Sequence, residues 1–339
     1  MVSGENSRCT RNLFLCYNKL KIKEKAVGFM KKMSSDKKAI VFVFFCMVLL
    51  MLTSCGSKQG AENAAPGKFQ TNVLSPVNEN ITVYEGENVF IDASNASKGY
   101  IMLKYTAPID KNIKARITRE GGEIYTYDIF DSEEFYVLPL TQGSGNYKIT
   151  VYKNISGNEY ATVFAKNIAV AEIDEFLPFL YPNQYVDFTA QSKVVQTATK
   201  LVENAQTELD VVSAVYNFTV KEISYDYEKA KTVQSGYLPV VDEILQNQTG
   251  ICFDYAAVMC AMLRSHGIPT KLVIGYAGDV YHAWISVYIK NVGWVNDIIQ
   301  FDGINWKLMD PTFDSTSQSD KKILEEINKG TNYIEKYSY

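Results

Sequence analysis

The sequence predicts an α+β protein: an all-β sandwich domain, then a mixed domain in which helices precede strands. Three observations predict this. Between Val73 and Ile173 short alternating runs recur with glycine-containing turns and no helical period. Between Ala190 and Leu263 the apolar residues return every three or four positions instead. From Thr270 onward the strand pattern comes back. A length of 339 residues suits about two domains. The 23 tyrosines and 17 phenylalanines favour β structure for much of it.

The N-terminus reads as an address. Lys31, Lys32, Lys37 and Lys38 precede 14 uncharged residues, Ala39 to Leu52. A membrane-spanning helix needs about 20, so this run fits a signal-peptide core. Leu52-Thr53-Ser54-Cys55, followed by Gly56, resembles a bacterial lipobox. That resemblance implies a lipidated Cys55 at the mature N-terminus and an extracytoplasmic protein, lipid-anchored to the bacterial cell membrane. Residues 1–54 are thus expected to be a leader, with an extension upstream of Met30 or Met33. Residues 55–72, rich in Gly, Ala, Ser, Gln and Asn, are expected to be a flexible tether.

The leader holds 10 of the 34 basic and 3 of the 38 acidic residues. Residues 55–339 carry the remaining 24 basic and 35 acidic residues, a net charge of −11. Such a surface excludes nucleic acid as an expected partner. It offers no attraction to anionic lipid either, so the membrane link is the lipid itself.

After Cys55 only Cys252 and Cys260 remain. Eight helical residues separate them by about 12 Å, beyond disulfide reach. Cys260, among Met259, Ala261 and Met262, reads as core.

Residues 73–173 form the predicted sandwich. Its strands are Asn88–Ala93, Tyr100–Thr106, Lys114–Arg119, Ile124–Phe130, Glu134–Leu140, Tyr147–Tyr152 and Tyr160–Val170. Gly121-Gly122 marks a hairpin, and Gly143, Gly145 and Gly157 mark further turns. No chemistry-bearing cluster appears here, so this domain reads as a spacer or positioning module. Pro178 and Pro182 mark the junction.

The second domain is expected over 185–316. Ala190–Asn204, Leu209–Ile223 and Val240–Gln246 are predicted helices. Next comes Gly250-Ile251-Cys252, where a helical pattern starts and runs to Gly267-Ile268-Pro269. Thr270–Tyr276, Tyr281–Ile289, Trp294–Phe301 and Trp306–Asp310 are predicted strands, with a turn at Asp302-Gly303. A surface helix over Asp320–Lys329 and a polar tail are expected to close the chain within 317–339.

Cys252 stands at the first turn of its helix. Free N–H groups and the helix dipole there favour a thiolate, the nucleophilic form of the side chain. A base must then be found. The chain has two histidines. His266 lies about 21 Å along the helix from Cys252, which leaves His282 at the start of a strand. Asp310 ends another strand, and neighbouring antiparallel strands set the start of one beside the end of the other. Cys252 would attack an acyl carbon, His282 would relay its proton, and Asp310 would orient the ring. The Cys252 N–H would be one oxyanion donor. For a second donor Gln248, Tyr225 and Tyr227 are candidates.

Gly250-Ile251-Cys252-Phe253-Asp254-Tyr255-Ala256, with Leu263-Arg264 and Gly267-Ile268-Pro269, resembles the cysteine motif of the transglutaminase-like superfamily. Tyr281-His282-Ala283-Trp284 resembles its histidine motif. Trp306-Lys307-Leu308-Met309-Asp310-Pro311-Thr312 resembles its aspartate motif. The resemblance implies a papain-like core with the cysteine helix packed on an antiparallel sheet, and a catalytic triad of Cys252, His282 and Asp310. It implies an acyl-transfer enzyme, peptidase or transglutaminase, acting on peptide, protein or cell-wall peptide amides through a thioacyl intermediate. No cofactor is expected. No metal site is expected either, since no acidic cluster matches the calcium sites of animal transglutaminases. The rival expectation is a non-catalytic surface protein that uses the core as a scaffold.

Overall fold

A computed structural model describes residues 69–296, 299–301, 306–308 and 333–339. The predicted leader, Cys55, Asp310 and the predicted helix at Asp320–Lys329 lie outside the described residues.

Eight strands build the first domain: β1 (Val83–Gly86), β2 (Val89–Asp92), β3 (Tyr100–Tyr105), β4 (Ile113–Arg119), β5 (Ile124–Ile129), β6 (Phe135–Pro139), β7 (Gly145–Ser156) and β8 (Glu159–Val170). They form two antiparallel four-stranded sheets, β1-β2-β3-β6 and β5-β4-β7-β8. Alternation decides which side chains meet between them. Along β4, Ile113, Ala115 and Ile117 are buried while Lys114 and Arg116 are not. Gly121 turns the β4–β5 hairpin at φ +74°, a conformation that favours glycine.

The second domain begins with α1 (Lys193–Leu201), α2 (Glu208–Glu222), a two-residue strand β9 (Ser224–Tyr225), α3 (Tyr227–Thr232) and α4 (Val241–Asn247). A second short strand, β10 (Thr249–Gly250), leads into α5 (Cys252–Arg264). Helix starts are capped by acids and hydroxyls. Thr207 and Asp210 make a reciprocal capping box on α2. The Asp242 carboxylate on α4 accepts the Lys193 and Val194 N–H groups of α1, both at 2.9 Å. One side chain thus caps one helix while belonging to another. Gly267 ends α5 at φ +74°, with Ile268 N–H bonded to Leu263 O and Gly267 N–H to Arg264 O, a Schellman closure.

Strands β11 (Thr270–Ala277), β12 (Val280–Ile289) and β13 (Gly293–Val295) come next. β14 (Ile299–Phe301) and β15 (Trp306–Leu308) pair antiparallel as a separate two-stranded unit, so only Trp294 and Val295 of the predicted Trp294–Phe301 segment extend the main sheet. The last strand is β16 (Tyr333–Ser338), and the main sheet runs β13-β12-β11-β16.

β16 corrects the expectation of a tail. Tyr333–Ser338 pairs antiparallel with β11, and Tyr339 is buried. The physical reason is the second edge of β11, which carries a row of backbone donors and acceptors that β16 satisfies. Arg264 reinforces it. Its fully buried guanidinium donates to three oxygens: Thr270 O (2.9 Å), Tyr181 O (2.8 Å) and Tyr339 O (2.5 Å). One side chain thereby ties the end of α5 to the sheet, the domain junction and residue 339.

The tether also ends sooner than expected. Asn72 N–H donates to Ser265 O at 2.7 Å, Thr71 shares a hydrogen bond with Thr199, and Phe69 packs on the core. Residues 69–72 are therefore docked.

β5 of the sandwich packs on this second domain. The Tyr125 hydroxyl accepts the Ser338 N–H at 3.0 Å, and its ring meets Tyr337 and Tyr339. Gln184 donates to Asp128 O and the Tyr185 hydroxyl to Thr126 O.

Candidate active site

α5 is buried along almost its whole length. Asp254 through Arg264 are all inaccessible, and Ala283, Ile285, Val287 and Ile289 of β12 share their core. Cys252, the first residue of α5, is partly exposed and free, whereas Cys260 is buried and free. Burial pushes the Cys260 thiol up to about 12, so it stays protonated and inert.

Asp254 organises the turn that holds Cys252. Its carboxylate is fully buried and accepts three hydrogen bonds. They come from Ile251 N–H at 2.8 Å, Lys229 Nζ at 2.7 Å and the Tyr237 hydroxyl at 2.6 Å. The first satisfies a backbone donor at the helix start. The second pairs the buried charge. The third holds Tyr237 as a donor, because burial and the hydrogen bond to Asp254 both raise its phenol well above the ordinary range. A cysteine at the first position of α5 is thus fixed by an acid two residues on.

Gly250 serves the same turn. A Cβ built there would lie 2.6 Å from the Asp254 Cβ. Around Cys252, the Phe253 ring lies 5.9 Å from Tyr185 and 6.3 Å from Tyr237. Burial lifts the Tyr281 phenol, and Tyr337, Tyr276 and Cys252 add to the lift.

His282 comes directly after Tyr281 at the start of β12. Its ring is buried and stacked on Trp284, centroids 6.3 Å apart at 22°. By strand alternation both rings lie on the face opposite Ala283 and Ile285. His266 is buried at the far end of α5. Its Nδ1 lies 3.0 Å from Met262 O, and burial holds its ring below the ordinary value.

The other predicted residues take separate places. Tyr225 is brought close: β9 and β10 pair in parallel with Gly250 opposite Tyr225, two residues before Cys252. Gln248 caps α4 in a left-handed conformation at φ +52°, and its amide donates to Glu222 at 3.4 Å. Tyr227 is exposed on α3, its ring 5.0 Å from Tyr225. Asp310 lies outside the described residues. Among the described residues no three His, Cys, Asp or Glu side chains stand together as metal ligands.

Lys229 and Tyr237 were not legible as parts of the site. An acid at the third position of a helix signals a cap, but its two side-chain partners come from a segment with no periodic pattern.

Residues 195–296 match a family model described as the transglutaminase-like superfamily. The Bacillus subtilis protein YebA is 25% identical over 171 residues, covering 44% of this chain and 22% of its own. A Pseudomonas aeruginosa protein-glutamine gamma-glutamyltransferase is 24% identical over 141 residues, covering 38% of this chain and 19% of its own. The chain thus spans about a fifth of the length of these curated relatives. A solved structure from Cytophaga hutchinsonii, described as a candidate cysteine protease, is 15% identical with a TM-score of 0.34. That comparison covers 77% of this chain and 74% of the other.

Proposed function

We propose, on the premise that residues 195–296 belong to the transglutaminase-like superfamily, that this protein is a cysteine-dependent acyl-transfer enzyme for peptide or protein amides. The observation that carries the reading is a free, partly exposed thiol at the first residue of an otherwise buried helix. That helix packs on the face of β12 that carries Ala283 and Ile285, His282 stands on the opposite face at the start of the same strand, and Cys252 and His282 both lie within the matched segment.

In this reading the Cys252 sulfur adds to the amide carbon while His282, reaching round the start of β12 from the face opposite Ala283, takes the thiol proton. The developing oxyanion is met by the Cys252 N–H at the helix start. Collapse breaks the C–N bond, and the proton passes from the imidazolium to the departing amine. Asp310 orients the imidazole. The thioacyl bond is then resolved by water, giving hydrolysis, or by a second amine, giving transamidation. The proposal includes lipidation at Cys55 and an extracytoplasmic, membrane-anchored location, which would put peptides of the envelope or of other proteins within reach.

The test offers the protein a glutamine-containing peptide with and without a primary amine and reads products by mass. Deamidation, amine ligation and backbone cleavage are distinct outcomes, and each should vanish in Cys252→Ala. No product from a varied peptide set, together with no covalent adduct at Cys252, would overturn the reading. Anchoring is read separately, by metabolic incorporation of an alkyne fatty acid that Cys55→Ser should abolish.

A further inference from the structure

A row of apolar side chains stands open at the turn between β11 and β12. Tyr281 on β12 lies directly opposite Tyr276 on β11, and Tyr276 lies directly opposite Ile334 on β16. Residues directly opposite in a sheet share a face, so the three make one ledge across three strands. The Tyr276 and Tyr281 rings contact at 5.5 Å, nearly edge to face. Their exposure is high for apolar residues: 58% for Tyr281, 39% for Tyr276 and 63% for Ile334. Val280, at the same strand end, is 53% exposed.

A contiguous apolar ledge of this kind marks a contact surface, whereas scattered exposed residues do not. Two observations say which contact. The ledge is held firmly at its base: a Cβ at Gly275 would lie 2.0 Å from Ile334 O, so β16 and β11 are pressed together there. It also lies at the end of the sheet toward which α5 begins: Arg264 ties the end of α5 to Thr270 at the start of β11, so the far end of β11, where Tyr276 stands opposite Tyr281, runs back toward the first turn of α5. A peptide whose carbonyl reaches Cys252 would therefore lay a neighbouring side chain along the rings.

We propose that Tyr281, Tyr276 and Ile334 form a specificity subsite for an apolar or aromatic side chain next to the amide that Cys252 attacks. This rests on reading Cys252 as the nucleophile, and it narrows the substrate class to peptides with an apolar residue beside the reactive one. Tyrosine suits the role because its ring gives area with little entropy lost on binding, and its hydroxyl can meet the peptide backbone.

The test separates binding from chemistry. The full chain carrying Cys252→Ala is titrated with acetyl-Leu-Gln-Gly amide and acetyl-Phe-Gln-Gly amide, and with counterparts bearing Gly or Glu at the first position. Apolar peptides should bind about tenfold tighter than the Gly peptide. Tyr281→Ala should remove most of that preference, Tyr281→Phe should retain it, and Val163→Ala on β8 should leave it unchanged. Equal binding of Leu and Gly peptides would overturn the subsite, as would an apolar preference that survives both Tyr281→Ala and Tyr276→Ala. In parallel, the protein with Cys252 intact is treated with chloromethyl ketones of the same four sequences. Failure of all four to label Cys252, while apolar peptides still bind, would sink the nucleophile reading and leave the subsite standing.

Discussion

Gly250 and Asp254 approach so closely that a Cβ on the first would lie 2.6 Å from the Cβ of the second. The glycine is required by packing, because its φ is not left-handed. The contact matters because the Asp254 carboxylate fixes the Ile251 N–H and hence the turn that presents Cys252. Gly250→Ala should push Asp254 away and lengthen that hydrogen bond. The expected loss is about 1–3 kcal/mol, typical of an overpacked buried site. Urea unfolding checks it, and a midpoint within error of wild type would refute the packing argument.

Asp254 itself should be more sensitive. Asp254→Ala leaves the Lys229 ammonium, the Tyr237 hydroxyl and the Ile251 N–H without their acceptor. Breaking one side of a buried ion pair costs about 3–5 kcal/mol. Here the lysine keeps some access to water, so the lower end is expected. Lys229→Met should cost less than Asp254→Ala, because the carboxylate keeps its other two donors. Chemical denaturation of both variants ranks them, and the opposite order would contradict this division of roles.

Much of this was legible in the sequence, for identifiable reasons. α5 declared itself through an apolar period and a left-handed closing glycine, both local signals. The sandwich strands declared themselves through alternation and glycine turns. β1 was missed because three of its four residues are exposed and no alternation survives. β16 was missed because its partner β11 lies some 60 residues earlier, and an edge strand with exposed glutamate and lysine looks like a tail. In the site, Cys252 was readable from its place at a helix start. Tyr281 was not, since one tyrosine among 23 carries no signal until register puts it opposite Tyr276.

The two thiols of the core should separate cleanly. Cys260 is fully buried and its thiol is pushed up to about 12, while Cys252 is partly open. Iodoacetamide at pH 7.5, then digestion and peptide mass analysis, should label Cys252 at least tenfold faster than Cys260. In 6 M guanidinium both should react at similar rates. Equal labelling in the native state would mean that the core around Met259 and Met262 opens freely.

His266 should make the fold acid-sensitive. Its ring is buried, Nδ1 faces Met262 O and the Ser265 hydroxyl, and Nε2 is buried without a partner among the described residues. Burial holds its folded-state pKa below the ordinary 6.5. The unfolded chain therefore binds the proton first as pH falls, so stability drops with pH in that range. The contribution is whole above about pH 6.5 and is lost progressively below it, until the folded ring also protonates. Thermal midpoints between pH 8 and pH 5 should fall more steeply for wild type than for His266→Gln. Parallel curves for the two proteins would show that the ring titrates alike in both states.

Arg264 gives the sharpest test of how the end of the chain is held. Its guanidinium is fully buried, and burial lowers it to about 10, still far above neutral pH. Among the described residues three oxygens, from residues 181, 270 and 339, take its donors. A planar fork satisfies all three at fixed angles, whereas a lysine ammonium is a single point donor. Arg264→Lys should therefore leave at least one buried oxygen unpaired, at about 1–3 kcal/mol. Arg264→Met should cost more, since it removes all three charge-assisted hydrogen bonds and leaves Tyr339 O with the Leu272 N–H alone. The distinguishing readout is local: amide exchange should accelerate at Leu272 and Tyr339, whose N–H groups pair across β11 and the end of the chain. Strands β2 and β3 of the sandwich should keep their protection. Faster exchange throughout both domains would instead mark Arg264 as a global stabiliser and contradict its assignment as a clasp on residue 339.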